Sequence, residues 1–346
     1  MIPRTLRCAL AALLLAASGA AGAQPAANAP EPGPRAIEIP AWFKLSFLDL
    51  RDDVRDAARH GRRVMLYFGQ DGCPYCKRLM EGYFGQRDIA HYARRHLDAI
   101  ALNIWGDRDT VWLDGKTRSE KQLAAFLKVQ FTPTLLFLDE RGRVVVRLNG
   151  LYPAHEFRAV LEYVAQRQEG SVRLADWVAR SAGPPDAGVL HGLPRAMPWP
   201  LDLDRSRRAA TRPLAVFFEQ RDCRECDALH AGALRDPQTL ALLRRFDVAQ
   251  IDARGSRRLV EPDGGSVTEA AWARALGIAY APSVVFFDGG GREVFRVEAY
   301  LKTFHFQSAL EYVASGSYRT QPSFQRFVQA RAEALRARGV QVDLWK

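Results

Sequence analysis

The residues with the most evident chemistry are four cysteines in two pairs. "FGQDGCPYCKRL", Phe68 to Leu79, carries Cys73 and Cys76, and "FEQRDCRECDAL", Phe218 to Leu229, carries Cys223 and Cys226. Two cysteines separated by two residues can bind zinc, staple a turn or shuttle electrons. Each pair follows a short apolar run of strand type, "RVMLYF" and "LAVFF". Cys73 then caps a helix, with Pro74 at the first helical position, where a missing N–H does no harm. Cys76 lies one turn further on nearly the same face, so a disulfide between them can close and open. The unpaired N–H groups and positive end of the helix stabilise a thiolate on Cys73. Lowering a thiol pKa from about 8.5 to about 7 raises the thiolate fraction about sixteenfold, but reduced nucleophilicity leaves a net rate gain of about threefold. The larger consequence is a better leaving group and a higher reduction potential.

The composition sets the setting for this chemistry. A chain of 346 residues, 48% hydrophobic and 25% charged, is long enough for two globular domains. Its formal charge of +10 is spread over both halves with acidic residues interleaved. No basic block or recognition motif points to nucleic acid, and none is expected as a partner. Residues 1–23 read as a cleaved export signal: Arg4 and Arg7 precede the apolar run "CALAALLLAASGAAGA", and Ala21-Gly22-Ala23 offers the cleavage site. Cys8 is lost with that peptide, leaving an even number of cysteines for a periplasmic compartment where disulfides persist.

An internal repeat organises the rest. Cys73 and Cys76 fall on Cys223 and Cys226, Arg94 and Arg95 on Arg244 and Arg245, Pro133 on Pro282 one residue out of step, and "LEYV" at Leu161 on "LEYV" at Leu310. In the first copy "LDLRDDVRDAARHG" reads as a helix ending at Gly61, "DAIALNI" as a strand and "EKQLAAFLKV" as a helix. "FTPTLLFLDERGRVVVRLNG" reads as two strands turning at Arg141-Gly142, and "PAHEFRAVLEYVAQRQ" closes the unit as a helix. The order predicts two tandem three-layer α/β/α sandwich domains with mixed sheets. The expected boundaries are a flexible lead-in at 24–40, domain 1 at 41–168, a linker at 169–200, domain 2 at 201–316 and a C-terminal helix at 317–346.

This assembly resembles the thioredoxin family, and within it the periplasmic SoxW-type and DsbC/DsbG-like branch. The resemblance rests on "CPYC" after "VMLYFGQDG" with Thr132-Pro133, and on "CREC" after "LAVFFEQRD" with Ala281-Pro282. It implies that each proline is cis and faces its cysteine pair. The peptide groups before Pro133 would then be open to an extended substrate segment beside an accessible Cys73. It implies protein thiol–disulfide exchange in the reducing direction: Cys73 forms the mixed disulfide, Cys76 resolves it, and Cys223, Cys226, Ala281 and Pro282 repeat these roles. The partners implied are disulfide-containing proteins and a membrane-embedded thiol reductase as electron donor, with no bound cofactor. "CPYC" is also the glutaredoxin pair, and isomerase activity belongs to the same chemistry.

The sequence departs from the family where a buried Asp stands six residues before the first cysteine; Tyr67 and Phe217 occupy those places. Gln70 and Gln220 cannot titrate, which leaves Glu219 as a proton acceptor in the second copy only. Asp222, Glu225 and Asp227 oppose a thiolate at the second pair while Arg224 favours one, which predicts a more reducing site there. Lys77 acts in the opposite sense at the first. The competing readings are a zinc clip, with His230 as an extra ligand, and a binding module whose disulfides only stabilise the fold.

Overall fold

The computed structural model describes residues 35–181, 189–342 and 344, so the expected export signal lies outside the described residues. Among them, the first copy runs α1 (Leu50–Arg59), β1 (Arg63–Gly69), α2 (Pro74–Lys77), which continues as a π-helical segment (Arg78–Tyr83), and α3 (Arg87–His96). It goes on through β2 (Leu97–Asn103), β3 (Asp109–Val111), β4 (Thr117–Ser119), α4 (Glu120–Phe126), β5 (Thr134–Leu138), β6 (Val144–Asn149), α5 (Ala154–Ala165) and α6 (Leu174–Ser181). The second copy repeats the order as β7 (Leu214–Glu219), α7 (Arg224–Ala231), α8 (Pro237–Leu243), β8 (Asp247–Asp252), β9 (Arg258–Val260) and β10 (Ser266–Thr268). It ends with α9 (Glu269–Ala275), β11 (Ser283–Phe287), β12 (Glu293–Val297), α10 (Thr303–Ala314) and α11 (Phe324–Ala337).

The two main sheets have the same topology, β2-β1-β5-β6 and β8-β7-β11-β12. In each, the strand leading to the cysteines pairs parallel with one neighbour and antiparallel with the other. β1 is buried along its whole length because both faces of the sheet are covered. Alternation along the strand sends Met65 and Tyr67 to one apolar layer and Val64, Leu66 and Phe68 to the other. Ala215 and Phe217 divide from Leu214, Val216 and Phe218 in the same way. The result is two tandem thioredoxin-like sandwiches.

Local signals place the boundaries. Asp49 caps α1 by accepting from the N–H groups of Arg51 and Asp52, and Gly61 follows its end at φ +68°. Ser119 and Gln122 form a reciprocal capping box on α4. The turn between β5 and β6 needs a left-handed residue, and Gly142 at φ +81° supplies it. The short hairpins β3–β4 and β9–β10 lie between the cysteines and the hairpin proline of each copy.

Two low-complexity readings need correction. The described end of the lead-in is tied down: the Arg35 carbonyl accepts from Gly72 N–H at 2.8 Å, and Ile37 N–H donates to Asp71 at 3.0 Å. The stretch expected to be linker begins with α6, which packs on α5 as Trp177 Nε1 donates to the Ala159 carbonyl at 2.9 Å. Trp177 and Leu174 supply the apolar face that a count of Pro, Gly and Ala overlooks.

Candidate functional site

Both cysteine pairs sit where a buried strand stops and a helix begins. Cys73 is the N-cap of α2 in extended backbone, φ −82° and ψ 112°, and its Sγ accepts from Cys76 N–H at 3.1 Å. Cys223 caps α7 in the same manner, with Cys226 N–H also 3.1 Å from its Sγ. Each pair is closed as a local disulfide, with Cα atoms 5.2 and 5.1 Å apart. The four sulfurs therefore do not converge on one point, as a shared zinc clip would require.

The hairpin prolines come to the cysteines as expected. The Thr132–Pro133 and Ala281–Pro282 bonds are cis. The Thr132 carbonyl oxygen lies 3.3 Å from Cys73 Sγ, and the Ala281 carbonyl oxygen 3.5 Å from Cys223 Sγ. All eight residues singled out in the sequence thus fall into two matching clusters.

One expectation fails. Cys73 is only 4% exposed and Cys223 only 8%, so neither sulfur is openly accessible. The reason is that each copy covers the active face of the other. Phe131, two residues before Pro133, packs in the apolar layer of the second copy against Phe295 and Phe324, with ring centroids 5.6 and 5.4 Å apart. Tyr280, two residues before Pro282, packs in the layer of the first copy with Tyr152 at 4.9 Å. The exchange is reciprocal. Tyr75, between the first two cysteines, accepts from Lys302 N–H at 2.8 Å and meets the His305 ring edge-on at 5.4 Å.

The helix α11 completes the wall over the first pair. Gln70 donates to Thr132 Oγ1 at 3.1 Å and to Gln325 Oε1 at 2.9 Å, while accepting from Trp105 Nε1. Gln325 in turn donates to the Gln130 carbonyl at 3.0 Å, and Gln130 accepts from Phe324 N–H at 2.8 Å. Of these glutamines only Gln70 was singled out in the sequence, as a non-titrating residue, because the partners lie about 190 to 250 positions apart.

Electrostatics differ between the two sites. Tyr67 holds the place of the family's buried Asp, and its ring tip fills the space into which a side chain at Gly69 would project. Its hydroxyl is buried without a hydrogen-bond partner, and burial, with help from Asp71, holds its proton well above the usual range. It is no base. At the second pair, Glu225 faces α5 of the first copy, where Glu156 is pushed up to about 8 by burial and then by Glu225, against a smaller opposing effect of Arg254. Glu156 Oε2 has no hydrogen-bond partner. The position matching Glu156 in the second copy is His305, which burial and then Lys302 push down to about 4. Asp227 lies 2.6 Å from His191 Nε2, within hydrogen-bond distance. Phe131, Tyr280, Glu156 and His191 carry no local signal by which sequence reasoning would single them out.

The profile of the Thioredoxin-like domain matches residues 50–165 and 201–314. Among solved structures, a thioredoxin-fold protein from Helicobacter pylori is 23% identical, over 35% of this chain and 85% of its own, with a TM-score of 0.31. A thioredoxin from Thermus thermophilus is 25% identical, over 36% of this chain and 88% of its own, with a TM-score of 0.29. A protein disulfide oxidoreductase from Aeropyrum pernix is 16% identical, over 80% of this chain and 97% of its own, with a TM-score of 0.23. No curated protein matches.

Proposed function

The chain belongs to the thioredoxin-like family, and from that premise we propose that it reduces protein disulfides after export to the periplasm. The observation that carries the reading is the double arrangement itself: a cysteine pair at a helix start, with the carbonyl before a hairpin proline within 3.5 Å of the first sulfur, in both copies. In the reduced protein the Cys73 thiolate attacks a substrate disulfide, forms a mixed disulfide and expels one substrate thiolate. Cys76 then attacks Cys73, closes the Cys73–Cys76 bond and releases the second substrate thiol. Two electrons pass to the substrate. The Thr132 peptide aligns the incoming segment through main-chain pairing. Cys223 and Cys226 repeat the sequence beside Ala281 and Pro282. The pair is restored by another dithiol, which in this reading belongs to a membrane-embedded reductase. Nothing in this exchange calls for a bound cofactor.

The burial of both sulfurs adds a condition: a protein substrate reaches Cys73 only when the second copy moves off the Thr132 loop. A Cys76→Ser variant, unable to resolve the intermediate, accumulates mixed disulfides with extract proteins through Cys73. Recovery of no such adducts, together with a reduction potential below about −300 mV, would establish a non-catalytic module with structural disulfides instead.

A further inference from the structure

The two dithiols rest on different floors. Cys73 and Cys76 belong to the large apolar layer of the first copy, which also holds Met80 and Tyr67. Cys223 and Cys226 form a small cluster with Ala281 alone, separate from the main apolar layers. Polar side chains flank the second pair. Glu219, the last residue of β7, is fully buried, and both its carboxylate oxygens lie 3.0 Å from His230 Nε2. Gln250 Nε2 donates to the same carboxylate at 2.7 Å and to the His191 carbonyl at 2.8 Å. A carboxylate only accepts, so His230 Nε2 carries a proton and Nδ1 is left for another.

Position ties this group to the sulfurs. His230 stands four residues after Cys226 on α7, one turn along the same face. Glu219 ends the strand that runs into Cys223. The His230 ring stacks on His191 with centroids 4.7 Å apart, and His191 Nε2 is 2.6 Å from Asp227. His191 and Asp227 are both exposed, so the chain of polar groups runs from the buried carboxylate to water. The surrounding charges are Asp227, Glu225 and Arg224 on α7 and, beyond Gln250 on β8, Asp252 paired with Arg221 at 3.0 Å. The first copy has none of this. Gly69 and Met80 match Glu219 and His230, and Ala101, opposite Tyr67, matches Gln250, opposite Phe217.

We propose that the Glu219–His230 pair takes the proton from Cys226 when that thiol closes the second disulfide, and that His191 and Asp227 pass it to solvent. This rests on the reading that the second dithiol exchanges. With Cys223 joined to a partner sulfur, the Cys226 S–H proton moves to the pair and the thiolate attacks the Cys223 sulfur. The Cys223–partner bond breaks, and the partner leaves as a thiolate that takes a proton from water. Cys223 and Cys226 are oxidised to the disulfide while the partner sulfur is reduced. Glu219 and His230 thus act as the proton acceptor of the closing step, and the first dithiol closes without an equivalent.

The test uses the full chain with Cys8→Ser, Cys73→Ser and Cys76→Ser, reduced and mixed rapidly with dithiobis(nitrobenzoate). Cys223 releases a first thionitrobenzoate, and the attack of Cys226 releases a second. Glu219→Gln and His230→Gln are expected to slow the second release about tenfold or more near neutral pH. Their rates rejoin the parent's above about pH 9, where the thiol ionises unaided. His191→Gln, a surface change that leaves the core intact, shows the same shift in smaller degree. A second phase with an unchanged pH profile in both core variants overturns the inference, as does an equal slowing at every pH, which marks a structural role. Release of no second equivalent by the parent overturns the exchange reading of this site along with the inference. Two equivalents with an unaltered profile overturn the inference alone.

Discussion

Glu156 shows how a single side chain links the two copies to solution conditions. Its carboxyl is held up to about 8, against an ordinary value of 4.5, first by burial and then by Glu225 across the interface. Between those values the folded protein keeps a proton that the unfolded chain has lost, so this group's contribution to stability falls as pH rises from about 4.5 to about 8 and levels off beyond. The full difference is on the order of 5 kcal/mol. Glu156→Gln should flatten that slope and make the protein more stable than the parent at pH 8, as read from urea midpoints at pH 5 and pH 8. The readout is the difference between parent and variant, since His305, held down to about 4, adds an opposite slope below about pH 6.5; equal slopes in the two would show that Glu156 is solvated. At the neighbouring strand, the Tyr67 ring tip occupies the space beside Gly69. Gly69→Ala forces that ring aside and should cost about 1–3 kcal/mol by denaturant unfolding.

Among the elements, α11 has the largest consequence for its length. The sequence marked 317–346 as an extra helix after the repeat; the helix itself spans Phe324–Ala337, and its role was not legible. Phe324 is buried against Phe131, Phe295 and Tyr312, and Gln325 reaches the loop that carries Thr132. Phe324→Ala should cost about 3–5 kcal/mol. The same variant should speed alkylation of reduced Cys73, because the wall over it loosens. An unchanged alkylation rate in a folded variant would show that α11 is only a buttress. The strands and the closing helices α5 and α10 were readable from periodicity, since their apolar pattern follows from burial on one or both faces. The hairpins β3–β4 and β9–β10 were not, because three-residue strands are too short to show a period.

For the molecule as a whole, the duplication produces a reciprocal interface in which each active face is the other's cover. Asn149 Nδ2 donates to Glu298 Oε2 at 2.9 Å across it, and Gly150 leaves so little room that a Cβ there would lie 2.6 Å from that of Ala299. Asn149→Asp replaces that bond with two facing carboxylates. It should weaken closure, enlarge the radius of gyration by small-angle scattering and raise the rate of reduction of a folded protein disulfide severalfold. A small disulfide should respond less, since it needs less clearance. Equal acceleration of both substrates would mean that closure does not screen by size.

The prolines that face the cysteines lie far from them along the chain and were implied by the family resemblance; the amino-acid order alone determined the duplication, the order of strands and helices and the cysteine pairs at helix starts. Those features rest on interactions within a strand, a helix turn or a hairpin, where spacing along the chain is spacing in space. The covering of Cys73, the raised proton affinity of Glu156 and the joining of Glu219 to His191 were decided by tertiary structure. Burial and the removal of water set these, and they depend on side chains that meet only after the two copies have packed together.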